Sequence, residues 1–266
     1  MSCPFLSGRQ TDVAAAGSAG GRLRADLLLV EQGLAVDSDE AARLIMAGQA
    51  WAGTERLDKP GQLLAADLEL RVERGSDWAS RGALKLSHAL EVFDLEVTDR
   101  VCLDAGASSG GFTDCLLRAG ASRVYAVDVG YGQLDWRLRG DPRVVVMERC
   151  NVRAVDREQL SPPPTLLVAD LSFVSLTTLL EKLSALAGPA GELLLLVKPQ
   201  FETTRDKLEG GILRDDAERG LAVQRVASRA RELGLSERGQ TESPVTGARG
   251  NREFLLHFAV GADAPG

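Results

Sequence analysis

Two charged side chains of this sequence follow directly on aliphatic runs: Asp170 after Leu166-Leu167-Val168-Ala169, and Lys198 after Leu194-Leu195-Leu196-Val197. In an open α/β sheet, ligands sit beyond the carboxyl ends of the strands, so such positions are where catalytic groups are expected. A lysine there is partly desolvated. That lowers its pKa and suits it to accept or stabilise a proton leaving a hydroxyl, with Asp170 orienting it electrostatically. Glu253, in Gly250-Asn251-Arg252-Glu253-Phe254, is a third charge within reach of the same cleft, although alone it reads as a solvated strand end. Simpler readings stay open at this stage: a lysine snorkelling to solvent for Lys198 and a turn cap for Asp170.

A second constellation precedes these. The run Asp104-Ala105-Gly106-Ala107-Ser108-Ser109-Gly110-Gly111-Phe112 is a glycine-rich turn between a strand and a helix, where a ligand can approach bare backbone. About twenty residues on, Val127-Asp128-Val129-Gly130 sets a carboxylate where the ribose hydroxyls of a bound nucleoside lie. A dinucleotide site offers helix-end amides to a pyrophosphate, whereas here an acid, Asp104, leads into the turn and disfavours one. The pattern points to S-adenosyl-L-methionine, with Asp104, Gly106, Ala107, Ser108, Gly110, Gly111, Phe112, Asp128, Val129 and Asp170 as the expected contacts. Asn151, after the third strand, is either an amide for an adenine edge or a turn-forming residue.

Several elements must position these groups. Short apolar runs at Val101-Cys102-Leu103, Val124 to Val129, Val144 to Met147, Thr165 to Ala169 and Glu192 to Val197 alternate with amphipathic stretches. Such alternation means a parallel α/β sheet. Helices are expected at Gly111 to Ala119, Gln133 to Arg139, Leu176 to Leu186 and Asp216 to Leu233, with a last strand at Glu253 to Val260. Ahead of them, Leu84, Leu86, Leu90 and Phe93 have helical spacing, which makes Lys85 an ordinary solvated helix charge if judged alone. Further upstream, Leu23, Leu27, Leu28 and Val30 suggest a short helix, and Ser38 caps a second one running to Gly48. Residues 50–72 then alternate loosely and finish in the strand Leu68-Glu69-Leu70-Arg71-Val72. The organisation expected is a disordered Ala/Gly/Ser-rich tail over 1–21, a small α+β domain over 22–73, a linker over 74–81 and an α/β domain over 82–262.

Composition narrows the class. No stretch approaches the roughly 20 apolar residues of a membrane span, and the first ten residues lack the pattern of a signal peptide, so a cytoplasmic protein is expected. Cys3, Cys102, Cys115 and Cys150 have no metal-ligand spacing and read as inert thiols, and no metal site is expected. The formal net charge of −7 runs against the basic surface that phosphate backbones usually require.

Taken together, Ser80-Arg81-Gly82-Ala83-Leu84-Lys85-Leu86, the segments Asp104 to Asp114, Ala126 to Gln133, Asp170 to Leu176, Val197 to Glu202 and Gly247 to Leu255 resemble the TlyA family. These are S4-domain rRNA 2′-O-methyltransferases long labelled hemolysins, similar in their catalytic domain to the FtsJ/RrmJ methyltransferases. The resemblance implies a class I Rossmann-like methyltransferase fold with a mostly parallel seven-stranded sheet and a small N-terminal S4-like domain. It implies a Lys-Asp-Lys-Glu tetrad at Lys85, Asp170, Lys198 and Glu253, with Lys198 acting on the hydroxyl, and transfer of methyl to a cytidine ribose in 16S or 23S rRNA of ribosomal subunits. It also implies RNA contacts at Arg22, Arg24, Arg43, Arg56, Lys59 and Arg81. Residues 22–73 hold six basic and ten acidic side chains, however, so any RNA binding depends on a local patch, and ordinary ion pairs are the bland alternative. Trp78 is expected to pack between domains or stack on a base, and the glycine-rich loop Asp206 to Gly211 to close over RNA. A monomer is expected. The rival readings are a catalytically inactive ribosome-binding scaffold, which the intact tetrad opposes, a small-molecule methyltransferase, and a pore former, for which no apolar spanning element is seen.

Overall fold

The computed structural model of the protein describes residues 21–46, 48–72 and 78–261. They fall in two compact units divided between residues 75 and 76. The tail expected before Gly21 and much of the expected linker lie outside the described residues.

In the first unit, β1 (Arg22–Arg24) leads directly into α1 (Ala25–Glu31), followed by α2 (Ser38–Met46), β2 (Ala50–Ala52), β3 (Glu55–Arg56), β4 (Leu63–Ala65) and β5 (Leu70–Val72). Leu23, expected on a helix, stands instead in β1 opposite Leu64 of β4. That long-range pairing is invisible to local periodicity. The cap of α2 is Asp37 rather than Ser38: its carboxylate accepts from the Glu40 amide at 2.7 Å. A three-stranded antiparallel sheet in the order β3-β2-β5 completes the unit. Its core is small, built on Leu28, Leu29, Ala41, Ile45, Leu57 and Leu70.

The second unit contains α3 (Gly82–Val92), β6 (Val101–Ala105), α4 (Gly111–Arg118), β7 (Arg123–Val127), α5 (Trp136–Arg139), β8 (Val144–Met147), β9 (Leu166–Ala169), α6 (Leu180–Ala187), β10 (Glu192–Val197), α7 (Asp216–Glu232), β11 (Leu235–Glu242) and β12 (Phe254–Val260). The seven strands form one sheet in the order β11-β12-β10-β9-β6-β7-β8. The run from β10 to β8 is parallel, and β12 and β11 add antiparallel strands at one edge. Alternation along the strands supplies two cores. Leu193 and Leu195 join one with α6 and α7; Leu194 and Leu196 join the other with α3, α4 and Leu138 of α5. Each such leucine, fully buried, contributes roughly 1.5–3 kcal/mol.

Three local expectations are corrected. The helix expected from Gln133 begins only at Trp136, because the Asp135 side chain caps it by accepting from the Arg137 amide. The helix expected from Leu176 opens as a 3-10 turn at Leu176–Thr178 before α6 starts. Strand β11 was not expected as an element. Its sequence, Leu-Ser-Glu-Arg-Gly-Gln-Thr-Glu, is polar because it lies at the sheet edge, and a bulge between Glu237 and Gly239 breaks its alternation.

Candidate active site

Strand β6 lies between β9 and β7, and the chain leaves it through α4 towards β7 before returning to the other side at β9, so the crevice of the open sheet lies at its carboxyl end. Two cavities meet there, sharing Gly106, Ser108, Asp170 and Ser172 in their walls.

Gly106 allows the turns after β6 and β9 to touch: it has φ of +89°, and a Cβ would lie 2.5 Å from the carbonyl oxygen of Asp170. Asp128 holds the glycine-rich loop open, accepting from the amides of Ser108 at 2.9 Å and Gly130 at 2.6 Å. Its carboxylate lines the second cavity with the exposed Val129 and with Asn151. The turn-forming reading of Asn151 holds, its oxygen capping the 3-10 turn at Val152–Ala154 by accepting from the Arg153 amide, and the residue lines the second cavity. Ala107 and Phe112 line the first cavity, with Gly111.

Asp104 and Gly110 line neither cavity, unlike the other residues expected to bind the cofactor. Gly110 sits against Leu134 and Leu138. Asp104 is wholly buried and turns back under the loop, where one oxygen accepts from the Thr113 hydroxyl at 2.7 Å. Its other oxygen has no partner among the described residues. Burial pushes this carboxyl up to about 7, and the charges of Asp170 and Asp128 add to the rise.

The charged groups gather on the first cavity and its back wall. Lys198 is buried, and its amine is 2.6 Å from an Asp170 carboxylate oxygen and donates to the Ser172 hydroxyl at 2.8 Å. Lys85 is buried rather than solvated, and it pairs with Glu253 at 2.5 Å. Glu253 is 2% exposed, which overturns its reading as a solvated strand end. The loop before β12 encloses it so tightly that a Cβ on Gly247 would fall 1.8 Å from its carboxylate. All four members of the expected tetrad thus lie at one end of the sheet: Lys85, Asp170 and Lys198 line the cavity with Arg81, and Glu253 stands behind Gly247.

Two residues escaped the sequence reading. Ser172 lies inside the segment Asp170 to Leu176, where nothing local marks its hydroxyl as a partner of Lys198. Phe173 has φ of +65°, is 91% exposed and leans on Phe201 with ring centroids 5.3 Å apart. A bulky residue in the left-handed region is uncommon; Phe173 lines the second cavity, and an aromatic three residues after the strand-end carboxylate Asp170 was the available signal. Trp78 carries the Arg118 guanidinium 4.2 Å above its ring, a contact within the second unit. The tip of the loop expected to close is tied down, Gly210 accepting from Arg249 and Gly211 from Asn251.

In the first unit, Arg24 and Arg56 are engaged by Asp26 and Asp58, the bland alternative. Arg22 and Lys59 are exposed and have no ion pair among the described residues. Arg43 lies on α2, and its side chain is outside the described residues. Cys102 and Cys115 are buried, and burial pushes both thiols up to about 12, which leaves them inert.

The sequence profile of the FtsJ-like methyltransferases matches residues 78–260, the whole second unit from Trp78 to the end of β12. The chain belongs to the TlyA group of this family. It is similar to the 16S/23S rRNA (cytidine-2′-O)-methyltransferase TlyA of Mycobacterium tuberculosis, 45% identical over 91% of each chain. It is also similar to hemolysin A of Brachyspira hyodysenteriae, 35% identical over 90% of this chain and all of that one. A solved structure labelled a hemolysin, from Streptococcus thermophilus, superposes with a TM-score of 0.70 at 39% identity and covers 92% of each chain. Among the described residues, no helix is long and apolar enough to cross a membrane. The cofactor of the FtsJ-like unit is S-adenosyl-L-methionine. The residues fit it, since the second cavity brings together Asp128, Asn151 and the bare backbone of Gly106, and shares Gly106, Ser108, Asp170 and Ser172 with the cavity that Lys198 lines.

Proposed function

We propose that the second unit transfers a methyl group from S-adenosyl-L-methionine to the 2′-hydroxyl of a cytidine ribose in ribosomal RNA, of the 16S type, the 23S type or both. One observation carries the reading. The Lys198–Asp170 and Lys85–Glu253 pairs, buried and supplied by distant segments, serve one cavity that shares its wall with the cofactor cleft. The activity named for the Mycobacterium tuberculosis relative supports the substrate.

Bound S-adenosylmethionine supplies an electrophilic methyl group on a sulfonium. The chain's own task is alignment of an oxygen and removal of one proton. A lysine amine ready to take up a proton has two N–H donors and one lone pair. Asp170 and Ser172 occupy the two donors at Lys198 Nζ, which leaves the lone pair to accept the proton of the sugar hydroxyl. Asp170 holds the amine in place and compensates the proton it takes up. Lys85 and Glu253 compensate one another and pack behind the acceptor without adding net charge. The exposed Phe173 ring offers a face on which an unstacked base rests. The first unit acts as an S4-like RNA-binding module through a local patch around Arg22 and Lys59, and the protein works in the cytoplasm, on ribosomal subunits.

Incubation of ribosomal subunits with tritiated S-adenosylmethionine tests this. The wild type is expected to label RNA at one or two positions resistant to alkaline cleavage, and Lys198→Ala to leave it unlabelled while binding the cofactor. Equal labelling by both proteins would refute the role of Lys198. No labelling by the wild type would favour a scaffold that binds without transfer.

A further inference from the structure

Three cations line the catalytic cavity: Arg81, Lys85 and Lys198. Two are neutralised, Lys85 by Glu253 at 2.5 Å and Lys198 by Asp170 at 2.6 Å. Arg81 has no carboxylate and no hydrogen bond from its side chain among the described residues. Around the same unit, Arg100, Arg118, Arg137, Arg139, Arg143 and Arg225 are each held by an acid; on the wall of this cavity Arg81 is not. The unit leaves one positive charge uncompensated on the wall of this cavity.

The backbone fixes where that charge can act. Arg81 caps α3 with helical dihedrals, φ −59° and ψ −19°, and the carbonyls of Ser80 and Arg81 accept from Ala83 and Leu84. Arg81 and Lys85 are four residues apart on a continuous turn, so they share a helix face and point to the same cavity. Lys85 lies deep and Arg81 at the rim.

We infer that Arg81 binds the phosphodiester 3′ to the methylated ribose, a role that rests on the function proposed above. The chemistry requires a cation there. The 3′-phosphate hangs from the carbon next to the one bearing the reacting hydroxyl, and its negative charge opposes loss of the hydroxyl proton. A guanidinium paired with that phosphate removes the opposition, and its fork fixes the phosphate, hence the sugar, against the wall. An arginine already paired with an acid could do neither.

The test compares wild type, Arg81→Met and Arg81→Lys on ribosomal subunits across a salt series, with calorimetric binding of S-adenosylmethionine measured alongside. Arg81→Met is expected to lower kcat/KM about 10- to 100-fold at low salt and leave cofactor affinity unchanged. Its plot of log kcat/KM against log salt is expected to be shallower than wild type by about 0.7, one phosphate of a single strand. Arg81→Lys keeps the wild-type slope and recovers part of the rate. An unchanged slope in Arg81→Met, or loss of cofactor binding in it, overturns the inference while leaving the methyltransfer reading intact. A wild type that labels no RNA overturns both.

Discussion

Replacing Asp104 by asparagine should change how stability depends on pH, and the direction follows from where the carboxyl is buried. The folded protein holds this group protonated up to about pH 7, against about 3.8 for a free aspartate. Between those values the unfolded chain releases a proton that the folded chain keeps, so the unfolded state binds fewer protons and stability falls as pH rises. The contribution is complete below about pH 4 and lost by about pH 7; a span of about three pH units at about 1.36 kcal/mol each makes it about 4 kcal/mol. The Asp104→Asn variant retains an acceptor for Thr113 and does not titrate at this position. The unpaired amide it introduces costs about 1–3 kcal/mol, independent of pH. Urea unfolding of both proteins, followed by fluorescence at half-unit steps from pH 5 to 8.5, isolates the pH-dependent part as the change in their stability difference. The variant should gain on wild type by about 2 kcal/mol from pH 5 to 7 and by little more above pH 8. A difference that stays constant with pH, or one in which wild type gains as pH rises, refutes the reasoning that desolvation dominates at Asp104.

Three further outcomes are expected. Gly247→Ala places a methyl group where the Glu253 carboxylate stands, and displacing that carboxylate should reduce kcat about 100-fold with cofactor affinity retained, measured by methyl transfer and calorimetry. Lys85→Met leaves Glu253 buried without its partner and should cost about 3–5 kcal/mol in chemical denaturation, whereas Lys85→Met with Glu253→Leu should recover much of that loss; an equal or larger loss in the double variant would argue against a buried pair. Phe173→Ala should raise KM for RNA by a factor corresponding to about 1–3 kcal/mol of stacking, with no change in cofactor binding, and unchanged KM would remove the ring from the substrate site.

The parallel strands were legible because their apolar runs are short, β-branched or leucine-rich, and bounded by polar residues. Val144 to Met147 and Glu192 to Val197 coincide with β8 and β10. The polar edge strand β11 carried no such mark, since only one side of its ladder is paired. The cofactor turn was legible in outline, yet the inward turn of Asp104 was not. Its direction depends on Thr113 in α4 and on the packing of the loop above it. Lys85 is the clearest case: its local sequence is that of a surface helix, and its burial comes from a loop 168 residues away.

What the sequence by itself determined is the alternation of the parallel strands with their helices, the glycine-rich approach to a nucleoside cofactor, and the strand-end places of Asp170 and Lys198; Lys85 and Glu253 joined them only through the resemblance of their motifs to a family. Tertiary structure decided which of these charges are paired, which carboxyl faces inward, and which cation on the cavity wall, Arg81, has no acid partner among the described residues. The physical reason is one of range. Periodicity and capping act over a few residues and leave their trace in local composition, whereas ion pairing and desolvation depend on groups that only folding brings together.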